Sequence, residues 1–421
     1  MAIEVEDRRS LLAQRRAAPR SFARNFTIWK TLARLAGFLL IGFYYSGIAF
    51  FCDRNGLFIQ STLLYPAIAV VAALLLLFER QSFDALREHG YVLGLFGLFA
   101  LLQMISRVTM HSFGDVENVA LVNRLETAAI LIFSLIIFSA DETAWILRFV
   151  RMVLIISCTM NLAEFFHMLP SGWMFSSDVG RSGGFYGNPN TAGFFIATAL
   201  PLACIRAGAA KRIFYTTLAI VGVSLTFSRG AVAELMAAIV VTNLFAVGGA
   251  LKLRKTRLFT LMILAILILL GFFFFTLIQS VLLPYLNHDT MQRLQVFATA
   301  STFQRYDLVI YGIQLFLDHP LFGAGVGSTF ASLYQQSSHN LVVQIAAEFG
   351  LVGLAWLGAL WVILWRYPRP INIWFLAVFT ASWPFIHWQL ETTGFGIAMA
   401  LYLVTATRMG AREYGSGGIP G

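Results

Sequence analysis

The stretch VALVNRLETAAILIFSLIIFSADETAWILRFVRMVLIISCTMNLAEFF, residues 119–166, holds two apolar runs, 119–139 and 144–166, parted by ADET. Each run is about as long as the ~20 apolar residues a helix needs to cross the hydrocarbon core of a bilayer. Working outward in both directions, runs of similar character recur near 35–52, 57–78, 91–106, 190–208, 213–229, 231–250, 258–278, 340–365, 371–387 and 392–407. The expectation is an all-α, polytopic integral membrane protein of about twelve transmembrane helices.

Composition agrees with that reading. Of 421 residues, 58% are hydrophobic and only 12% charged, about half the charged fraction of a soluble globular domain. A water-soluble enzyme, a disordered scaffold and a secreted disulfide protein are thereby excluded. Three cysteines, Cys52, Cys158 and Cys204, lie far apart with no CxxC pair, and read as small apolar core residues. Residues 1–34 are rich in arginine but lack the apolar core and cleavage site of a signal peptide. They read as a basic cytoplasmic segment with an interfacial helix. Residues 35–408 form the transmembrane domain, and 409–421 a flexible cytoplasmic tail.

The charge balance, 30 basic against 21 acidic residues, finds its explanation in topology. With the first residue inside, every lysine and every arginine except Arg54, Arg107, Arg124, Arg181, Arg229, Arg293 and Arg305 falls on the cytoplasmic side. The positive-inside rule then places both termini in the cytoplasm, and nucleic-acid binding needs no further role. The residues left outside are all arginine. Their planar fork suits bidentate contact with phosphate or carboxylate. At Arg54, Arg107, Arg124 and Arg293, snorkelling or pairing with a nearby acid is an equally good reading.

Two outside segments are long, about 167–190 and about 279–339. In the second, QRYDLVIYGIQLFLD (304–318) places Tyr306, Val309, Ile310, Ile313 and Phe316 at helical spacing. It reads as an amphipathic helix with Arg305 in its first turn. The string HPLFGAGVGSTF that follows lacks the lysine of a phosphate loop and reads better as a tight turn back to the membrane. Ser337, Ser338, His339 and Asn340 then stand before the next span. Asn340 is a candidate helix cap, whereas His339 can exchange protons near neutral pH and is a candidate base.

In the first segment Arg181 precedes GGFYGNPN (183–190), a turn-rich run. Ser228-Arg229-Gly230 interrupts an apolar stretch too long for one span, and Arg229 is expected in a wet cavity. Glu234, one to two turns on, is a candidate partner for it. His387 and Glu391 are four apart, on one face if the helix continues. No HxH or HExxH string occurs anywhere, so no metal ligand set is read.

Arg181 with GNPNTAG, then TFSRGA, Arg305, HPLFGAGVGS, SSHN and AAEFGLVG stand in that order between residues 181 and 354. In this the chain resembles the O-antigen ligase family, integral membrane proteins that include lipid A–core ligases, O-antigen polymerases and protein O-oligosaccharyltransferases. Within it the resemblance is to the ligases. It implies a GT-C-like glycosyltransferase with a large periplasmic loop between spans nine and ten, residing in the bacterial inner membrane. It implies transfer of glycan from undecaprenyl pyrophosphate to a sugar hydroxyl of lipid A–core on the periplasmic side, inverting, without metal or cofactor. The family's essential histidine and arginines match His339, Arg305 and Arg229, with Arg181 a further match and Glu391 an approximate one. Polymerase and protein-acceptor activities use the same donor, and a lipid-linked oligosaccharide flippase is the alternative from another class. The absence of a clear repeat between the halves and the long, asymmetric outer loop weigh against the flippase.

Overall fold

The structure is a computed structural model, and it describes residues 20–57, 63–109, 115–170, 173, 175–176, 181–244, 300–332, 336–366, 370–386 and 389–416. Among these residues the chain is all-helical, with no strand. Eleven of the twelve apolar runs coincide with helical segments, and the run at 258–278 lies outside the described residues.

The first run is α1 (Arg20–Phe38), continued by a π-helical segment (Leu39–Tyr45) and, past a break at Ser46 and Gly47, by α2 (Ile48–Arg54). Then follow α3 (Leu64–Phe78), α4 (Arg80–Glu88), α5 (Gly90–Thr109), α6 (Asp115–Ser139) and α7 (Thr143–Phe165). The next three are α8 (Pro189–Cys204), α9 (Ala209–Ser224) and α10 (Arg229–Leu244). The last four are α11 (Ala300–Asp318), α12 (Leu341–Arg366), α13 (Pro370–Ser382) and α14 (Thr393–Ser416).

Among the described residues four helices are long and apolar enough to cross a membrane: Gly90–Val108, Asn118–Ser139, Thr143–Phe165 and Leu341–Arg366. Two bent pairs, broken by 62° after Tyr45 and by 99° after Phe78, raise the number to at most six. Among the described residues there are thus fewer membrane-length helices than the twelve expected. Length is one reason. At 16 residues each, α8 and α9 rise roughly 24 Å, about one turn short of the ~30 Å core.

Two helices form the centre. Almost every residue of α8 is buried, and α14 is buried on all sides from Phe395 to Val404. A helix apolar all round belongs in an interior. Tyr402 of α14 donates to the Thr198 carbonyl of α8 at 2.7 Å, and Tyr45 is 2.9 Å from the Thr198 hydroxyl. Helix α6 packs along α14, while α10 is wedged between α8 and α13. The last helix runs to Ser416, eight residues beyond the boundary expected at 408.

Charged residues fasten the end of the bundle at which α6 and α14 finish. Lys30 and Arg34 both reach Asp141, and Arg408 donates to the Ser139 carbonyl. Arg151 takes the α8 C-terminal carbonyls of Ala203 and Ile205 at 3.0 and 2.5 Å, meeting acceptors that a helix end leaves open. The polar residues described next sit at the opposite end.

Candidate functional site

The segment carrying Arg181 is pinned by an acid. Glu164, near the end of α7, accepts the backbone N–H of Ser176 (2.7 Å), Gly183 (2.9 Å) and Gly184 (2.7 Å). A short 3-10 turn (Gly184–Tyr186) follows, and Tyr186 donates to the Tyr45 carbonyl at 3.0 Å. Asn188 then caps α8 by accepting from Asn190 N at 2.8 Å, with Pro189 in the first turn. The Asn-Pro string thus starts a helix. Arg54 lies against Gly187 in the same turn.

Arg181 is joined to the segment that carries Arg229. Its Nε donates to the Thr226 carbonyl at 2.9 Å and its Nη2 to Asn190 Oδ1 at 3.1 Å. Ser228 donates to the same Asn190 Oδ1 at 2.6 Å and accepts from Ala231 N at 3.2 Å, capping α10. Arg229 is the first residue of α10 and is exposed. Its neighbour Gly230 packs so closely on the turn after α13 that a Cβ there would be 2.6 Å from Phe385 Cβ.

Glu234 does not pair with Arg229. It is fully buried, and among the described residues neither carboxylate oxygen has a hydrogen-bond partner. Five residues of helix amount to roughly 140° of net rotation at ~100° per residue. The two side chains therefore leave α10 in different directions.

Arg305 and His339 come together. The amphipathic helix expected over 304–318 is α11, running from Ala300, and it packs against α12. At the contact a Cβ on Gly312 would meet Val343 at 2.6 Å and Ser338 at 3.7 Å. His339 is half-buried and held at φ 49, a left-handed conformation unusual for a residue with a side chain. Burial, and next to it the Arg305 guanidinium, hold its imidazole down to about 4, so it is the free base at neutral pH. Asn340 accepts Val343 N at 3.1 Å and so caps α12, while Leu341 N bonds the Trp383 carbonyl at 2.9 Å. The turn at 383–385 therefore touches both the start of α12 and the start of α10, which carries Arg229.

The glycine-rich string is a helix-docking turn. Helix α12 breaks at Gly350 (φ 61, ψ −150), and residues 320–325 bond into the break. Ala324 N and Gly325 N donate to the carbonyls of Ala347 (2.7 Å) and Glu348 (3.1 Å), and Leu351 N donates to Pro320 O (2.8 Å). Those N–H groups are spent on backbone, which disposes of a phosphate cradle.

One buried cluster joins Arg124 and Glu391, both singled out in the sequence but not with each other, to Glu348. Arg124, 4% exposed, donates from Nη1 to Glu348 Oε2 at 2.7 Å and from Nε and Nη2 to Glu391 Oε1 at 3.1 and 2.7 Å. Gln344 reaches Glu348 at 3.2 Å and Glu391 at 3.4 Å. For Arg124 the pairing alternative holds. Glu391 ends a 3-10 turn (Gln389–Glu391), and burial raises its pKa. His387 lies outside the described residues, as does Arg293, and the helix does not continue from α13 through Glu391. Glu348 and Glu164 were missed, although each is a lone acid in an apolar run, a costly placement that signals a partner. Among the described residues, no three His, Cys, Asp or Glu side chains lie together as a metal would need.

These features define a class. An all-helical chain with membrane-length apolar helices and a set of arginines, acids and one free-base histidine at the helix ends is a multi-pass membrane protein with a polar site. The family model described as O-antigen ligase matches residues 214–358, about a third of the chain, so this segment is similar to the O-antigen ligase family. That segment contains Arg229, Arg305, His339 and Glu348, and leaves Arg181, Arg124 and Glu391 outside it. No curated protein matches the chain.

Proposed function

We propose that this protein is an O-antigen ligase of the bacterial inner membrane. It moves glycan from undecaprenyl pyrophosphate to a sugar hydroxyl of lipid A–core on the periplasmic side. The observation that carries the reading is the pairing of Arg305 with a free-base His339 at the start of α12, within the segment matched by the family model.

The chemistry follows from those groups. The acceptor hydroxyl gives its proton to His339 while its oxygen attacks the anomeric carbon, and the bond from that carbon to the pyrophosphate oxygen breaks. Base assistance of this kind is typically worth ~10²–10⁴ in rate. Charge develops on the departing pyrophosphate. Arg229 and Arg305 are both exposed, so a polyanion can reach them, and each preorganised donor is typically worth ~3 kcal/mol. Arg181 has two donor positions committed to Thr226 and Asn190, so it orients the Arg229 segment as well as adding charge. A single displacement inverts the anomeric centre. Residues 35–408 serve as the catalytic domain, 1–34 and 409–421 as cytoplasmic flanks, and 279–339 as the periplasmic loop.

The test is acceptor choice by purified protein. Undecaprenyl-pyrophosphate glycan is supplied with lipid A–core, with a serine/threonine-bearing protein, or alone. Glycan on lipid A–core supports the ligase. Lengthening of the donor makes the protein a polymerase, glycan on the protein makes it an O-oligosaccharyltransferase, and an unchanged donor in all three arms favours a flippase.

A further inference from the structure

A non-glycine residue in the left-handed region persists only where its surroundings over-determine it, and His339 is such a residue. The downstream side of its anchorage is plain. Asn340 caps α12, Ser338 Oγ donates to the Asn340 carbonyl at 3.0 Å, and Leu341 N bonds Trp383.

The upstream side runs through hydroxyls. Ser337 Oγ lies 3.2 Å from Thr329 Oγ1, which lies 3.3 Å from Glu348 Oε1, whose other oxygen takes Arg124 Nη1. A hydroxyl has one proton and an ionised carboxylate only accepts. Thr329 is therefore the donor to both neighbours, its one proton shared between Glu348 Oε1 and Ser337 Oγ. Both hydroxyl-bearing residues are buried at 1% exposure, and Thr329 sits in a 3-10 turn (Ser328–Ala331) just after the glycine turn docked into the α12 break. Arg124 and Glu348 are thus the fixed end of a chain whose free end is the segment bearing His339.

We propose that Thr329 and Ser337 are positioning residues for His339, holding the imidazole in place by tying its backbone to the buried Arg124–Glu348 pair. Neither touches the reacting atoms. The proposal rests on His339 as the base. Without the Thr329 hydroxyl the ion pair stays intact, with Gln344 still on Glu348, but Ser337 loses its donor and the segment bearing His339 loses its link to the pair. A displacement of about 1 Å at a catalytic group can cost ~10² in rate.

The experiment uses the full-length protein with Thr329→Val, Thr329→Ser and Ser337→Ala. Three quantities are read: kcat and donor KM in the transfer assay, melting temperature, and the rate at which diethyl pyrocarbonate modifies His339, followed on its own peptide by mass. Thr329→Val is expected to lower kcat about ten- to hundredfold with donor KM little changed, and to alter the His339 modification rate. Thr329→Ser is expected to restore both. Should Thr329→Val not fold, Ser337→Ala carries the same comparison. Wild-type values of kcat and His339 reactivity in the folded variant overturn the proposal. So does a kcat loss that Thr329→Ser fails to rescue while His339 reactivity is unchanged. Absence of product from the wild type with every acceptor overturns the transferase reading instead, and the modification rates then decide the positioning claim alone.

Discussion

Arg124 Nη1 lies 2.7 Å from Glu348 Oε2, a contact between residues 224 apart in sequence. The same guanidinium holds Glu391, so one cation joins α6, α12 and the turn before α14. Two buried carboxylates share it, and the three elements that frame the site converge there.

Removing that cation is expected to be severe. Arg124→Ala leaves two carboxylates buried without their partner, and breaking a buried pair in this way typically costs about 3–5 kcal/mol. Thermal unfolding in detergent measures it. Adding Glu348→Gln and Glu391→Gln to Arg124→Ala is expected to recover much of the loss, because the uncompensated charge is then gone. A single variant that melts with the wild type contradicts a structural role for the pair.

Gly350 is expected to tolerate no side chain. At φ 61 its backbone suits glycine, and a Cβ would stand 2.5 Å from the Leu321 carbonyl. Gly350→Ala is expected to cost more than ~1 kcal/mol and to reduce the yield of folded protein in size-exclusion chromatography. An alanine variant of unchanged yield and melting temperature speaks against the docked turn.

The pH profile of transfer has a definite sign. A base must be unprotonated, and burial with Arg305 beside it holds His339 at about 4. The acid limb of kcat/KM, which reports the free enzyme, is therefore expected near pH 4 rather than near the ordinary histidine value of ~6.5. Arg305→Ala removes a cation that penalises the imidazolium, so the limb is expected to move upward, beyond the accompanying loss of rate. Arg305→Lys keeps the charge and is expected to leave the limb in place. The same shift weakens folding in acid: the unfolded chain takes up the proton first, and stability falls as pH drops from about 6.5 through 4.

Arg229 carries a rate prediction. Arg229→Ala is expected to reduce kcat about a hundredfold, in line with loss of one preorganised donor. Arg229→Lys is expected to recover only part, because a point charge cannot reproduce the bidentate fork. The melting temperature should hardly change, since the side chain is exposed at the start of α10. A large drop in stability with either variant assigns Arg229 to the scaffold.

Helix α11 was legible in the sequence because its apolar residues repeat at helical spacing within one segment, and the Asn340 cap because capping is local. The count of membrane-length helices was less so. Apolar runs mark where helices form, yet α8 and α9 are 16 residues each, and the bends after Tyr45 and Phe78 shorten what composition alone counts as full spans. Long-range pairs were out of reach. Glu164 holds Gly183 and Gly184 from 19 and 20 residues away, and Arg124 finds Glu348 only once α6 and α12 are packed. Proximity in sequence also misled, since Glu234 stands close to Arg229 in the chain but on another side of α10.

The central claim is that His339 accepts the proton of the acceptor hydroxyl during glycan transfer to lipid A–core. Single-turnover transfer by purified wild-type protein and His339→Ala, with undecaprenyl-pyrophosphate glycan and lipid A–core, tests it most directly. The account predicts glycan on the core with the wild type and a rate at least ~10²-fold lower with His339→Ala, at an unchanged melting temperature. A folded His339→Ala protein that transfers at the wild-type rate contradicts it.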